Sequence, residues 1–453
     1  MIKNKRRRRR ERPPSVKWKE LLLASIALVS FCVIAAGPLV EAVSSSELGA
    51  LAGTAATWPT FQGDTSHDGR LGVPLGEETY SEMFSDSRVG SNYSAPTLYI
   101  GRDGRFLAKE GEKISAIADG SIKWSLHGAS VLSEPLILSD RVVIGMVKDV
   151  SCVELETGRE IWSGSLDHNV LVYPPVSDAA GRVMAADDGR DALGNPGQPN
   201  VYCFNETGQM LWKRGIGMQS LEGLTETASG LLILSGHSGV SVMVQALAAN
   251  GSTVWRWTGD ENDRFVGPSV SVAGKIVVNT GRELVRLNES GALDKMLSAG
   301  NMSLWCYPIM DSNGNTFSLA RQTTGGSSCY LLSWSPEGTL NWSSKLDTSN
   351  PRSLQLSSDG IILAQTSTGL FGFTRNGSAL WRVGMDPAAS SPVVGGNGAI
   401  YVLEPDKMTV FMPGQSRLAL VTMVQYGLSA VVVVAATVIL MLQYRAVRLR
   451  KKS

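Results

Sequence analysis

SEPLILSDRVVIGMVKDVSCVELETGREIW, residues 133–162, holds the pattern that decides the fold. Apolar residues alternate up to a polar turn at Ser139-Asp140, and again up to Lys148-Asp149. The stretch closes on Glu156-Thr157-Gly158 and a short run ending in Trp162. Short alternating runs broken by turn residues every eight to twelve positions are antiparallel β-strands. The glycine supplies the positive φ that a tight hairpin demands.

Working outward, a turn glycine followed four residues later by Trp recurs along the chain. The pairs are Gly120/Trp124, Gly158/Trp162, Gly208/Trp212, Gly251/Trp255, Gly338/Trp342 and Gly377/Trp381. A further unit keeps the glycine, Gly291, but has Lys295 at the Trp position. Trp fills only 11 of 453 positions, so this recurrence is a repeat and not chance. Units of about 40–45 residues, each of four short strands, describe the blades of a β-propeller. In each, the Trp on the outermost strand offers a broad face to the neighbouring sheet and an N–H for a backbone carbonyl.

An eighth unit begins at Ser391-Pro392-Val393-Val394, passes 400–403 and 409–412, and reaches Gly414. It lacks its outer strand. The expected fold is therefore all-β: an eight-bladed propeller of four-stranded antiparallel blades over 58–416. Trp58–Phe61 is expected to supply the missing strand, with both chain ends in one blade, because closure removes open sheet edges.

The units ELETGREIW (154–162), FNETGQMLW (204–212) and RNGSALW (375–381) carry a Gly-x-x-x-Trp docking motif that resembles the PQQ-like, quinoprotein-type propeller repeat. WPTFQGDTSHDGRLG (58–72) is similar to the segment that opens many such propellers. Trp-Asp signatures are absent and double glycines are confined to 325–326 and 395–396, so WD40 and kelch repeats fit poorly. The resemblance implies architecture more than function, since it covers PQQ-dependent dehydrogenases and non-catalytic scaffolds alike. Catalytic members hold PQQ on the axis with a vicinal cysteine pair and Ca²⁺ ligands. The cysteines here are Cys32, Cys152, Cys203, Cys306 and Cys329, none adjacent to another. No cofactor and no enzymatic activity are expected.

Two apolar runs flank the repeat. Residues 20–40 and 418–444 are long enough to cross a bilayer core of about 30 Å as helices, and two transmembrane helices are expected to flank the propeller. The first run is read as an uncleaved anchor because it is of full span length, with a signal peptide cleaved at Ala35-Ala36-Gly37 as the alternative. Basic tails at 1–19 and 445–453 lie outside the runs, which places both tails in the cytoplasm and the propeller on the exterior. An Ala/Ser/Gly-rich linker spans 41–57. Lys+Arg (42) and Asp+Glu (41) nearly balance. Since the basic residues concentrate in the tails, the middle is net acidic, which disfavours nucleic-acid partners.

Seven Asn-x-Ser/Thr sequons, at Asn92, Asn205, Asn250, Asn288, Asn301, Asn341 and Asn376, fall in the exterior segment and are candidate N-glycosylation sites. In an oxidising exterior Cys306 and Cys329 can form a disulfide; buried free thiols are the alternative reading, favoured for Cys152 and Cys203. The four histidines (His67, His127, His168, His237) lack metal-ligand spacing. Acidic turns at 187–191, 260–263 and 311–315 read as Asx turns in preference to calcium loops. The expected function is a membrane-anchored, exterior binding or scaffolding module with the lipid bilayer and an envelope or membrane protein as partners. Adhesion or glycan binding through Trp257, Trp305 and Trp334 is the alternative, and a PQQ-dependent dehydrogenase is less favoured.

Overall fold

In the computed structural model, residues 70–414 are described, apart from residues 72, 79, 87–95, 102–103, 119–120, 127–132, 170–173, 191–194, 196, 262–265, 271–273, 324–327, 347–349 and 406. Both apolar runs, both tails, the 41–57 linker and the 58–63 segment lie outside the described residues. Among the described residues no helix is long and apolar enough to cross a membrane.

Eight antiparallel sheets follow one another along the chain. Blade one runs from Thr97–Ile100 to Ser121–Leu126, blade two from Leu136–Ile137 to Glu160–Ser165, and blade three from Val176–Ser177 to Met210–Gly215. Blade four spans Ser220–Glu226 to Thr253–Glu261, and blade five Val266–Val270 to Leu293–Ser298. Blade six runs from Met302–Leu304 to Leu340–Leu346, and blade seven from Pro351–Leu356 to Ala379–Val383. First strands touch between blades three and four, four and five, six and seven, and eight and one, so the first strands surround the axis and the fourth strands form the rim. The inner three strands are largely buried on both sides because each blade is sandwiched between two others: Ile362–Thr366 is buried at every position. The rim strands alternate instead, as Glu160–Ser165 does, since one edge meets water.

Blade six departs from the pattern. Its first strand is broken into Met302–Leu304 and Ile309–Met310, both paired to Thr316–Gln322.

Turns repeat as faithfully as strands. On one face, five-residue turns join first to second and third to fourth strands, closed by a main-chain bond from residue one to residue five. Asp178 N–H to the Arg182 carbonyl and Asn205 N–H to the Gln209 carbonyl are two examples. The first side chain often caps the turn: Asp311 Oδ1 accepts from the Asn313 and Asn315 amides, both at 2.9 Å. This is Asx-turn chemistry.

Closure corrects one sequence expectation. Blade eight has Val393–Val394, Ile400–Leu403 and Met408–Pro413, and its fourth strand is Tyr80–Asp86. Trp58–Phe61 is not the closing strand. Tyr80 pairs with Pro413 and Asp86 with Met408, so both ends of the ring meet in blade eight on the same face. The physical reason lies in burial. Tyr80 is 2 % exposed, and its hydroxyl lies 2.9 Å from both the Leu75 and the Gly398 carbonyl, which share its one proton. Upstream, Leu71, Val73 and Leu75 are buried in the core shared by blades seven, eight, one and two. Leu71 N–H donates to the Leu356 carbonyl and Ser358 N–H to the Val73 carbonyl. The opening segment therefore straps blade seven to blade eight before it becomes a strand.

Candidate functional site

The repeated glycines and tryptophans meet across blade seams. Gly158 has φ +69°, and a Cβ there would lie 2.8 Å from the Trp124 ring of the preceding blade. Only glycine satisfies both the backbone and the contact. Trp162 presses likewise on Gly208, Trp212 on Gly251 and Trp342 on Gly377. Each seam also has a polar component. The indole Nε1–H of Trp124 donates to the Leu155 carbonyl (2.9 Å), Trp212 to Ala249 (3.0 Å), Trp255 to Glu289 (2.7 Å) and Trp342 to Arg375 (3.0 Å). These residues thus hold the ring together. Trp381 meets Tyr80 of the closing strand, ring centroids 4.7 Å apart. Gly120 lies outside the described residues.

The seam without the expected Trp is built differently. Gly338 meets Leu297 and Lys295, the nearer at 3.3 Å from a Cβ. Trp334, on the third strand of blade six and fully buried, donates backwards to the Ser298 carbonyl at 3.1 Å. Arg286, 4 % exposed, donates to Asp294 at 2.8 Å and reaches the Gly314 and Pro336 carbonyls of blade six. From the sequence Trp334 reads only as an aromatic for glycan contact, and Arg286 is not singled out. The signal was there: the unit after the Trp-less one carries a second Trp, four residues before its glycine.

Between blades two and three the turn face opens into a cavity of about 680 Å³. Its wall includes Ile137, Leu138, Cys152, Trp162 and Val183; its mouth includes Asp140, Arg141, Asp178 and Glu206. Two of these carboxylates are paired, Asp140 with Arg141 at 3.0 Å and Asp178 with Arg182, whose Nε donates at 2.6 Å. The guanidinium of Arg141 holds the Asp140 carboxyl below its ordinary range. Behind Asp178, burial pushes the Glu226 carboxyl up to about 7, with the Asp178 charge adding to the rise. Trp162 is 8 % exposed, and its Nε1 has no hydrogen-bond partner among the described residues, unlike four of its sister indoles.

The remaining sequence candidates sort as follows. Cys306 and Cys329 do not form the disulfide: both are free and buried. The Cys306 Sγ instead accepts from the Leu319 amide at 3.3 Å, an internal role that leaves it a thiol. Cys152 and Cys203 are also buried free thiols, paired across the sheet with Trp162 and Trp212. Burial pushes the Cys152, Cys203 and Cys306 thiols up to about 11 and Cys329 up to about 12. Asp187 is enclosed by donors, from the Gly189 and Asn200 amides, the Asn200 side chain and the Tyr202 hydroxyl, so its oxygens hold the chain and not an ion. His237 Nδ1 lies 2.9 Å from Glu222 Oε1; His67 and His127 lie outside the described residues.

Of the three aromatics considered for glycan contact, Trp334 is a seam residue and Trp257 packs on the core of blades four and five. Trp305 alone is open, 47 % exposed at the break in the first strand of blade six, with the Arg321 guanidinium 5.8 Å from its ring centre.

The sequons have a local explanation. Asn205 Oδ1 accepts from the Thr207 amide and hydroxyl and from the Gln209 amide. Asn288 does the same with Ser290 and Ala292, and Asn250 bonds Ser252. Asn376 accepts from the Ser378 amide at 3.3 Å. In these four the Asn-x-Ser/Thr spacing is the spacing of the turn that seats the next seam. Asn301 and Asn341 are exposed, and Asn92 lies outside the described residues.

The chain matches the family described as outer membrane protein assembly factor BamB over residues 146–373 and again over 197–437. No curated protein matches it. Among solved structures it is similar to the quinohemoprotein alcohol dehydrogenase ADHIIG of Pseudomonas putida HK5, at 10 % identity and TM-score 0.57 over 82 % of each chain. It is also similar to BamB of Moraxella catarrhalis, at 14 % identity and TM-score 0.50, over 74 % of this chain and 100 % of that one. At such identities the likeness shows the fold alone.

Proposed function

From the premise that this chain belongs to the PQQ-like repeat family described as outer membrane protein assembly factor BamB, we propose that it is a protein-binding scaffold of the cell envelope. In this reading the flanking apolar runs anchor it in the membrane and the propeller stands outside. The observation that carries the proposal is the family match, read together with what the repeat residues do. Trp, Gly and turn Asn side chains are consumed in locking a closed ring, which leaves broad turn faces rigid and available for contact. A rigid scaffold loses little conformational freedom on binding, which favours protein partners over coupled folding.

The test is cross-linked affinity purification of the full-length protein from its native membranes, with mass-spectrometric identification. A reproducible stoichiometric envelope or membrane protein is the expected result; recovery of the bait alone, under conditions that capture known complexes, removes the scaffold reading. Protease protection in sealed vesicles tests placement, and a propeller accessible from the cytoplasmic side overturns it.

One observation favours a second reading, glycan binding. Trp305, at the break in the first strand of blade six, presents an open aromatic face beside the guanidinium of Arg321 on the second strand. Retention on glycan arrays that is lost in Trp305→Ala would support it. The oxidoreductase reading has fold likeness to ADHIIG behind it, and the vicinal cysteine pair of catalytic members is missing from the sequence.

A further inference from the structure

We propose that the open face at Trp305 and Arg321 binds an acidic glycan, a sugar chain with a carboxylate on the ring laid against Trp305. The proposal deepens the glycan reading and rests on it; the scaffold reading does not bear on it.

The site lies where the repeat is broken. Leu304 pairs with Ala320 and Ile309 with Phe317, so residues 305–308 stand opposite residues 318 and 319 alone. Among the described residues, blade six is the sheet whose first strand is split in this way. Surplus residues in a strand re-aim a side chain, and here they are fixed from beneath. The Trp305 N–H donates to the Leu319 carbonyl at 3.1 Å, the Leu319 N–H to Cys306 Sγ at 3.3 Å, and Asn279 Nδ2 to the Cys306 carbonyl at 2.9 Å. Cys306 and Asn279 are buried, while Trp305 is 47 % exposed. A backbone fixed this way presents the indole with little ordering left to lose on binding.

Pairing decides what surrounds the ring. Ser303 pairs with Arg321, so Ser303, Trp305 and Arg321 share one face of the sheet, and Leu304 and Ala320 the other. The Leu304 and Ala320 face is packed into the core shared with blade five. The opposite face packs on blade seven through Leu319 and Leu331, then opens at Trp305. Around the ring stand hydroxyls and amides. Ser303 and Gln322 are half-buried, Asn301 and Thr323 are exposed, and Thr323 Oγ1 donates to the Asn301 carbonyl at 2.7 Å. A protein hot spot sits in a well-packed pocket that excludes water. An open indole rimmed by hydroxyls and amides suits a pyranose ring better, whose C–H face lies on the aromatic while its hydroxyls meet the rim.

Charge narrows the sugar. From residue 296 to 336 the charged residues are Asp311 and Arg321 alone. Asp311 caps the turn at the far end of Thr316–Gln322, away from Arg321. The blade-five turn that Leu304 touches through Gly281 adds Arg282 and Glu283, one of each sign. The Arg321 guanidinium, 5.8 Å from the Trp305 ring centre, therefore sets the sign of the site. Its planar fork matches a carboxylate, which it meets with two parallel hydrogen bonds.

The probes are trigalacturonic acid, its methyl ester, which keeps the rings without the charge, and acetylated, amidated Gly-Glu-Glu-Gly, which keeps the charge without the rings. Each is titrated into the full-length ¹⁵N-labelled protein in detergent while the Trp305 indole N–H resonance is followed, assigned by its loss in Trp305→Phe. Trigalacturonic acid is expected to shift that resonance saturably in the millimolar range, with ester and peptide binding about 10-fold more weakly. Arg321→Gln should bring acid and ester to equal affinity, with thermal melting and the other indole resonances as its folding control. Saturation-transfer signals from the trisaccharide should vanish with Trp305→Ala, an exposed change.

A peptide that binds as tightly as the acid, an acid preference intact in Arg321→Gln, or a saturation-transfer signal intact in Trp305→Ala each overturn the inference. Acid and ester binding equally to the unaltered protein overturn it and keep the glycan reading. No shift from either sugar also overturns it, and the glycan arrays then decide the wider reading: retention keeps it and none removes it.

Discussion

The indole of Trp334 donates to the main-chain carbonyl of Ser298 at 3.1 Å, a bond that runs from blade six back to blade five, against the direction of the Trp124, Trp212, Trp255 and Trp342 bonds. The seam has exchanged its device. The two glycines on either side of this change can be compared. Gly377 (φ +85°) faces Trp342 at 2.6 Å from a Cβ, whereas Gly338 (φ +91°) faces Leu297 at 3.3 Å. Both alanine variants pay the same backbone strain, so their difference isolates the ring contact. Urea denaturation should show Gly377→Ala less stable than Gly338→Ala by about 1–3 kcal/mol. Equal losses would mean the Trp face does not set the seam.

Tyr80 closes the ring, so its loss should be felt across the whole domain. Tyr80→Phe keeps the ring packing on Trp381 and removes a hydroxyl that serves the Leu75 and Gly398 carbonyls. The expected cost is about 1–3 kcal/mol. Tyr80→Ala also empties a buried aromatic site, at about 3–5 kcal/mol. Thermal unfolding followed by near-ultraviolet circular dichroism checks both.

Glu226 should make the propeller less stable as pH rises from about 4.5 to about 7. Its carboxyl is pushed up to about 7 by burial and by Asp178, with Arg182 opposing. Between the unfolded and folded values the native state binds more protons, so unfolding free energy falls with pH and then levels above 7. The whole effect is at most about 3 kcal/mol. Glu226→Gln should flatten this part of the melting profile and raise stability at pH 8. An unchanged profile in the variant would assign the slope to other groups.

Turn asparagines should matter without any glycan. In protein made without glycosylation, Asn288→Ala should cost about 1 kcal/mol through the lost bonds to Ser290 and Ala292. Asn288→Asp keeps the acceptor oxygen and should be close to neutral. Asn341, exposed on a rim strand, should tolerate alanine. A neutral Asn288→Ala, measured by urea denaturation, would remove the turn explanation.

The four thiols of the propeller should be silent in the native state. Cys152, Cys203, Cys306 and Cys329 are buried and free, with thiols pushed to about 11 or 12, so the reactive thiolate is scarce near neutral pH. Ellman's reagent should label none of them before unfolding and all four after it. A protected pair after unfolding without reductant would restore the Cys306–Cys329 disulfide.

Blade number, strand class and the seam residues were legible because they are local and periodic. A glycine with Trp four positions on records one turn and one rim strand, and repetition multiplies the signal beyond chance. The Asn-x-Ser/Thr spacings at 205, 250, 288 and 376 were legible too, as sequons, although the structure gives them a turn's reason. A motif of three residues cannot say which of two chemistries wrote it.

The sequence by itself determined that the chain forms an eight-bladed ring with its last blade one strand short, since alternation, turn chemistry and unit length are all properties of neighbours in the chain. Only the tertiary structure decided which strand fills the gap, which seam runs backwards and where the ring leaves a cavity. Tyr80–Asp86, the Trp334–Ser298 bond and the Trp162 wall join parts of the chain that no local pattern links. Closure is a long-range choice, settled by whichever segment buries its apolar face and meets its hydrogen bonds at the open edge, and that contest is decided in space.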